Sequence, residues 1–380
     1  VKLAIVSHTR HFYSHNGTLH GWGPTIREIN FLAKHFSQII HAACLHPGLP
    51  PPSAMPYTSP NISFVPLPPS GGSGFGDKIS AFMRAREVMR SVKPLLAEAD
   101  TMQLRVPTGM ANYLLPWLTM QKRRPLTWVK YAGNWGQKDA PAGYRFQRWW
   151  LERNFLGARV TINGRWPGQK AHCISFENPC LDHDERMAGR NAVETKQYAP
   201  PFVACFIGRM ETAKGVGRIL DALPELKSKG VKTIHFIGDG KDLEFYRGKA
   251  ASGTGVACHF LGSIARPKLA GFLANAHFLL LPSTASEGFP KVIAEGANYG
   301  AIPVVSGISS IGQYVSDANG YLWDMNMPFG EWLGKVDWSE SVLPVKARAA
   351  YNMAEAFTFE HYYRKLRSEI LHDFKPGDFS

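Results

Sequence analysis

The sequence predicts an α/β protein of two doubly wound, Rossmann-like domains. Three observations predict it. Short apolar runs alternate with longer amphipathic ones in both halves, the order that gives parallel sheets with helices on both faces. The chain has 380 residues, enough for two domains of ordinary size. The series restarts after Lys196-Gln197-Tyr198-Ala199-Pro200-Pro201, where the proline pair marks a hinge.

In the first half, strands are expected over 3–7, 38–43, 62–67, 101–105, 126–131, 160–162 and 173–176. The first, Leu3-Ala4-Ile5-Val6, is continuously apolar, as a strand buried on both faces must be. Helices are expected over 25–35, 78–97, 109–120, 144–156 and 167–171. Two loops are long: 47–60 with six Pro, and 68–76 with four Gly; both read as surface connectors. In the second half, strands are expected over 203–207, 233–237, 259–261, 278–281, 302–305 and 321–323. Helices are expected over 216–228, 242–247, 267–274, 290–299 and 311–315, with two closing helices over 342–357 and 359–374. Thr358 suits the cap of the last one.

Composition narrows the function. Hydrophobic residues make up 44%, ordinary for a globular protein, and no apolar run is long enough to span a bilayer. No secretory signal opens the chain, because residues 2–7 read as a buried strand. Cys44, Cys173, Cys180, Cys205 and Cys258 lack metal-ligand or disulfide-framework spacing, which favours free thiols in a reducing cytoplasm. Net charge is +13, and residues 1–200, with 24 Lys and Arg against 12 Asp and Glu, hold nearly all of it. Such a field suits an anionic membrane surface or an acidic acceptor. Nucleic acid is set aside, since no recognisable module is present.

The most informative segment is Glu287-Gly288-Phe289-Pro290-Lys291-Val292-Ile293-Ala294-Glu295. Strand 278–281 runs into it, and Pro290 suits the first helical position, where its missing N–H costs nothing. Glu287 then lies in the loop at the strand's carboxyl end, where open α/β sheets bind ligands, and Glu295 lies more than a turn into the helix. The N–H groups of Gly288, Phe289 and Lys291 at the helix start are suited to hydroxyl or phosphate oxygens. A surface helix carrying two Glu gives the same spacing, so the context decides.

That context is basic and glycine-rich. After strand 203–207 comes Gly208-Arg209-Met210-Glu211-Thr212-Ala213-Lys214-Gly215, whose planar Arg and pointlike Lys flank a turn and suit a diphosphate. After strand 233–237 comes Gly238-Asp239-Gly240, a tight turn that allows close approach of a ligand or of other backbone. Near the N-terminus, Gly17, Gly21 and Gly23 lie in a long loop before a helix, a phosphate-approach design that does not match the dinucleotide fingerprint.

In this order, these parts resemble the GT-B glycosyltransferases, specifically the large retaining family 4. The likeness is specific over about residues 200–325, where Phe260-Leu261-Gly262, Leu281-Pro282-Ser283, Ile302-Pro303-Val304-Val305 and Asn319-Gly320 also fit; the N-terminal half matches only in pattern. The resemblance implies two Rossmann-like domains facing a cleft, with the C-terminal helix crossing back to the N-domain. An acceptor domain over 1–197, with about 358–380, then precedes a donor domain over 198–357. It implies a UDP- or GDP-sugar donor and a glycan or lipid-linked acceptor of polysaccharide or glycolipid (lipopolysaccharide-type) assembly. Arg209 and Lys214 would stabilise the departing diphosphate in place of a metal ion, so no metal or other cofactor is expected. Glu287 would hold donor-sugar hydroxyls with Gly288, Phe289 and Lys291 around Pro290, and Glu295 the ribose. Gly208, Gly238 and Gly240 would line the donor site, and Gly21 and Gly23 would meet the phosphates across the cleft.

Family members retain anomeric configuration. A covalent Glu287 nucleophile is not assigned, because nothing in the sequence pairs it with a second carboxylate at the anomeric carbon. The chain also departs from the family: Trp128-Val129-Lys130-Tyr131-Ala132-Gly133-Asn134-Trp135 lacks the His often found at that strand end. Lys130, Tyr131, Asn134, Arg105 or one of His8, His11, His15 and His20 is left to take its place. Finally, Tyr144–Phe155 interleaves cations and aromatics. With Lys122, Arg123, Arg124, Arg84, Arg86 and Arg90 it reads as a surface for peripheral contact with an anionic membrane, at the cytoplasmic face. A helix with its aromatics in the core and its Arg outside gives the same pattern. The rival functions are a non-catalytic GT-B nucleotide- or glycan-binding module and a nucleotide-sugar epimerase.

Overall fold

The computed structural model describes residues 1–69, 84–251 and 255–379. The chain forms two compact units, Val1–Asn178 with Tyr362–Ser380, and Pro179–His361.

The first unit begins with β1 (Lys2–Val6), β2 (His11–Tyr13), β3 (Leu19–Trp22), α1 (Gly23–Leu32), β4 (Gln38–Cys44), β5 (Ala54–Pro56) and β6 (Ile62–Leu67). It continues with α2 (Ala85–Val92), α3 (Leu95–Glu98), β7 (Thr101–Val106), α4 (Ala111–Thr119), β8 (Leu126–Tyr131), α5 (Ala142–Glu152), β9 (Arg159–Ile162) and β10 (Cys173–Ser175). Its main sheet is parallel, in the order β10-β9-β8-β7-β1-β4-β6. The alternation along β1 explains why the strand is apolar throughout. Leu3 and Ile5 join one core with Ile29, Leu32 and Trp128, while Ala4 and Val6 join another with Leu104, Leu114 and Val129.

The second unit contains α6 (His183–Thr195), β11 (Phe202–Ile207), α7 (Val216–Asp221), α8 (Leu223–Ser228), β12 (Val231–Ile237), α9 (Leu243–Ala250) and β13 (Ala257–Gly262). It goes on through α10 (Arg266–Asn275), β14 (Phe278–Leu281), α11 (Lys291–Asn298), β15 (Ile302–Ser306), β16 (Tyr321–Trp323), α12 (Phe329–Gly334) and α13 (Leu343–Ala354). Its sheet is also parallel, in the order β13-β12-β11-β14-β15-β16. The order reverses between β11 and β14, the topological switch point of a doubly wound sheet. The last helix, α14 (Phe359–Glu369), starts in the second unit, and from Tyr362 onward the chain packs with the first. Tyr362, Leu366, Ile370 and Leu371 there enter the core around Leu3, Ile5 and Trp128.

Several expectations need correction. The long glycine-rich loop before α1 is largely a hairpin: β2 and β3 pair antiparallel, and β5 joins them. Gly17 takes a φ of 76° at its turn. Residues 167–171 form no helix, and helix 216–228 breaks at Ala222, two residues before Pro224. The helix expected over 78–97 lies partly outside the described residues; the described part is α2 and α3. Residues 311–315 hold a short 3-10 turn, Ile311–Gln313.

The division between units also differs from the expected 197/198, because α6 packs within the second unit. Asp182 and Glu185 cap it reciprocally, each side chain accepting from the other's backbone N–H at 2.9 and 3.0 Å. Gly189 lets α6 lie on the end of α11, since a Cβ there would strike the Asn298 carbonyl. Lys196 then donates from Nζ to the carbonyls of Ala276 (2.5 Å) and Tyr299 (2.6 Å), at the carboxyl ends of α10 and α11. Burial draws its pKa down to about 7.

Candidate active site

The loops after β11 and β14 meet at the switch point, and glycines make their approach possible. Gly215 has a φ of 93° and faces the Pro282 carbonyl with no room for a Cβ. Thr284 N–H donates to the Ala213 carbonyl at 2.8 Å, closing the two loops on each other. The loop after β12 joins from the other side. Gly238, with a φ of 129°, lies against the Gly208 carbonyl, and Gly240 against the Met210 backbone. Close approach of other backbone therefore accounts for Gly238 and Gly240.

This scaffold brings Lys214 to Glu287. A 3-10 turn, Thr212–Lys214, buries Lys214, whose Nζ donates to Glu287 Oε1. Glu287 keeps about a third of its side chain exposed (36%). Arg209 is mostly exposed (67%) and pairs with Glu211 at 2.9 Å. Two of the three donors expected at the helix start are found unpaired among the described residues. Pro290 is the N-cap of α11 rather than its first residue, with ψ of 113°. The N–H groups of Gly288 and Phe289 have no partner among the described residues. The Gly288 carbonyl accepts from Ser310 Oγ at 2.9 Å, and the Phe289 ring stacks on Phe357 at 4.4 Å, so the peptide carrying these donors is held from two sides. Lys291 Nζ is taken by the Pro179 carbonyl at 2.8 Å.

Glu295 is buried, and its sole hydrogen-bond partner among the described residues is Arg266 Nη1, at 2.6 Å. The same guanidinium reaches Glu185 at 2.8 Å and the Cys180 carbonyl at 2.8 Å. Burial opposes the charge on Arg266, but the Glu295 and Glu185 carboxylates hold its pKa above the ordinary value. No sequence signal pairs Arg266 with Glu295. The Asp182-x-x-Glu185 capping box was available as a sign of α6. Ser309, beside Ser310, was also missed. It holds a φ of 54°, rare for a residue with a Cβ, and its Oγ is buried without a partner among the described residues.

In the first unit, Gly21 lies in β3 against His11 and Ile26, and Gly23 opens α1 against the Ser53 carbonyl. Lys130 is engaged: its Nζ donates to both Glu28 oxygens at 2.7 and 2.8 Å and sits 4.7 Å above the Tyr362 ring. Arg105 reaches the same Glu28 at 2.9 Å and Gln103 Oε1 at 2.7 Å. Burial raises the Tyr131 pKa to about 12. His11 and His41 lie buried on either side of Tyr57 Oη, at 2.8 and 2.6 Å. The Thr9 carbonyl can only accept, so His11 Nδ1 carries a proton towards it at 3.0 Å. Tyr57 Oη joins His11 Nε2 to His41 Nδ1, and Ser7 Oγ, which donates to Thr9 Oγ1 at 3.0 Å, lies 2.8 Å from His41 Nε2. Both rings are neutral. Burial lowers the His11 pKa to about 4 and that of His41 well below its ordinary value. A cavity of about 370 Å³ opens beyond β8 and β9, lined by Trp135, Trp166, Lys138, Lys170, Gln169 and Glu152. Among the described residues, no group of three His, Cys, Asp or Glu side chains could hold a metal ion.

No curated protein matches the sequence. Among solved structures, a sucrose-phosphate synthase from Thermosynechococcus elongatus superposes with a TM-score of 0.69 at 15% identity, covering 98% of this chain and 100% of the other. HepE of Anabaena, in complex with UDP and glucose, gives 0.66 at 14% identity, with 98% and 99% covered. The lipopolysaccharide outer core galactosyltransferase WaaB gives 0.63 at 15% identity, with 98% and 100% covered. Residues 201–328 match the family model described as glycosyl transferases group 1. The chain thus has the two Rossmann-like domains of the GT-B fold, and its residues 201–328 are similar to the glycosyl transferases of group 1.

Proposed function

We propose that the protein is a retaining, metal-independent hexosyltransferase that moves a sugar from UDP or GDP to a glycan or lipid-linked acceptor in polysaccharide or glycolipid assembly. The observation that carries this reading is the pairing of Lys214 with Glu287 beside the unpartnered N–H groups of Gly288 and Phe289. Fixed donors and a buried cation at one switch point suit a pyrophosphate whose negative charge grows as it leaves. Lys214 and Arg209 neutralise that charge, and Glu287 accepts from the sugar hydroxyls. The Glu295 carboxylate, held by Arg266, takes the ribose. The bond from the anomeric carbon to the phosphate oxygen breaks on the face where the acceptor oxygen bonds. The acceptor's proton passes to the departing phosphate.

The first unit takes the acceptor. Its cavity between Trp135 and Trp166 offers indole surface for a sugar ring, with Lys138, Lys170 and Glu152 for its polar groups. We place the reaction at the cytoplasmic face of a membrane. HepE bound to UDP and glucose supports a UDP-sugar as the donor.

The test is thermal shift with UDP-, GDP-, ADP- and dTDP-sugars in EDTA, for wild type and Lys214→Ala. One nucleotide should raise the melting temperature of wild type and not of the variant. If no nucleotide-sugar shifts the wild type, the donor site is wrongly assigned.

A further inference from the structure

We infer that the outer face of α5, joined by Met120 and Phe155, is a docking surface for an anionic lipid bilayer. It shares with the proposed function only a membrane-borne acceptor and is tested apart from it. The helix has a clear inside. Gln147 and Leu151 are buried, and Gln147 Nε2 ties α5 to the start of α4 through the Thr108 carbonyl and Asn112 Oδ1, each at 2.7 Å.

The outside departs from an ordinary solvated face. Trp149 is 45% exposed, Phe155 46% and Met120 79%. Phe146, Trp149, Trp150 and Phe155 form one continuous ring cluster, with neighbouring centroids 4.9 to 6.1 Å apart. Asn154 builds part of it. Its φ of 52° turns the chain after α5, bringing Phe155 against both tryptophans. Trp150 Nε1 donates to Thr119 Oγ1 at 3.3 Å, so the end of α4 brings Met120, Lys122 and Arg123 alongside. An exposed aromatic cluster of this kind marks an interaction surface rather than a core.

Charge selects the occupant. Arg145, Arg153, Lys122 and Arg123 are exposed and make no ion pair among the described residues. Arg148 is not one of these free cations, because its guanidinium is spent on the Trp135 and Gln137 carbonyls. Glu152 is the one carboxylate on α5. Four free cations around exposed Trp, Phe and Met fit a phospholipid interface: indoles settle at headgroup depth, and the cations meet lipid phosphates.

The test is co-sedimentation of the full chain, without nucleotide, with vesicles of phosphatidylcholine alone or mixed equally with phosphatidylglycerol. Wild type should sediment with the anionic vesicles only, and less in high salt. Lys122→Ala/Arg123→Ala should lower partitioning about 30-fold, at about fivefold per cation. Trp149→Ser/Phe155→Ser should lower it as well. Thermal melts of both variants should match wild type, since none of the four side chains is buried. Equal binding of wild type to both vesicles would overturn the proposal. So would no binding, or binding that neither variant weakens, which would leave the patch to an acidic protein. Vesicle binding without any nucleotide-sugar shift would uphold this surface and sink the donor site; the reverse would do the opposite.

Discussion

The two units share one architecture but treat their polar groups differently. Near the carboxyl ends of β7 and β8, the first unit closes its charges on themselves: Glu28 takes both Lys130 and Arg105, and His11, Tyr57 and His41 satisfy one another. At the β11–β14 switch point, the second unit leaves two N–H groups unpaired among the described residues and a carboxylate a third exposed beside a buried ammonium. Saturated groups specify a fold, whereas unsaturated donors held in place call for a ligand. The same topology therefore carries a self-satisfied network in one half and, in the other, held donors of the kind a ligand would take.

The comparison breaks most sharply at Glu28. Glu28→Ala would leave Lys130 and Arg105 buried beside no carboxylate, costing about 3–5 kcal/mol in chemical denaturation. If the loss is small, the first unit's network is not structural. Next, Lys214→Ala should lower turnover about 10²- to 10³-fold while leaving the fold intact, as steady-state kinetics and circular dichroism would show. Gly215→Ala should cost about 1–3 kcal/mol, since it adds a Cβ against the Pro282 carbonyl at a φ of 93°.

The histidine chain sharpens the comparison through pH. The folded pKa values of His11 and His41 lie below the unfolded value of 6.5, so the unfolded chain binds protons that the folded chain refuses. The stability is present above pH 6.5 and is lost as pH falls towards about 4, the folded value of His11. His41→Gln should flatten the slope in that window by up to about 1.4 kcal/mol per pH unit, read from denaturant melts. The smallest effect belongs to Ser309→Gly. Releasing its φ of 54° should stabilise the chain by about 1 kcal/mol, whereas a rise in donor KM would show that its orphan hydroxyl serves the ligand.

Much of this was legible because it is local. Apolar runs set the strands, and Glu287 through Glu295 reads as strand, loop and helix within one segment. Lys214 and Glu287 are 73 residues apart, yet each stands at the end of a visible strand, so the parallel topology joins them. The pairing of Glu295 with Arg266 was not legible, because a guanidinium's choice of carboxylate depends on how α10 packs, which leaves no spacing in sequence. Nor was the hairpin before α1, whose strands of three and four residues are too short for a period-two pattern. The aromatic helix α5 was legible as a pattern but not as a surface: Leu151 turned inward and Trp149 outward.

The grip of Lys196 on two helix ends has a practical consequence for dissecting the molecule. A second-unit fragment cut at residue 198, where the sequence invites the cut, would lack that ammonium, α6 and Glu185. The carboxyl ends of α10 and α11 would lose their shared tie, and Arg266 would keep only Glu295 of its two acids. A fragment beginning at Pro179 retains all of them. The segment that looks like a linker is thus part of the smallest piece with a chance of standing alone.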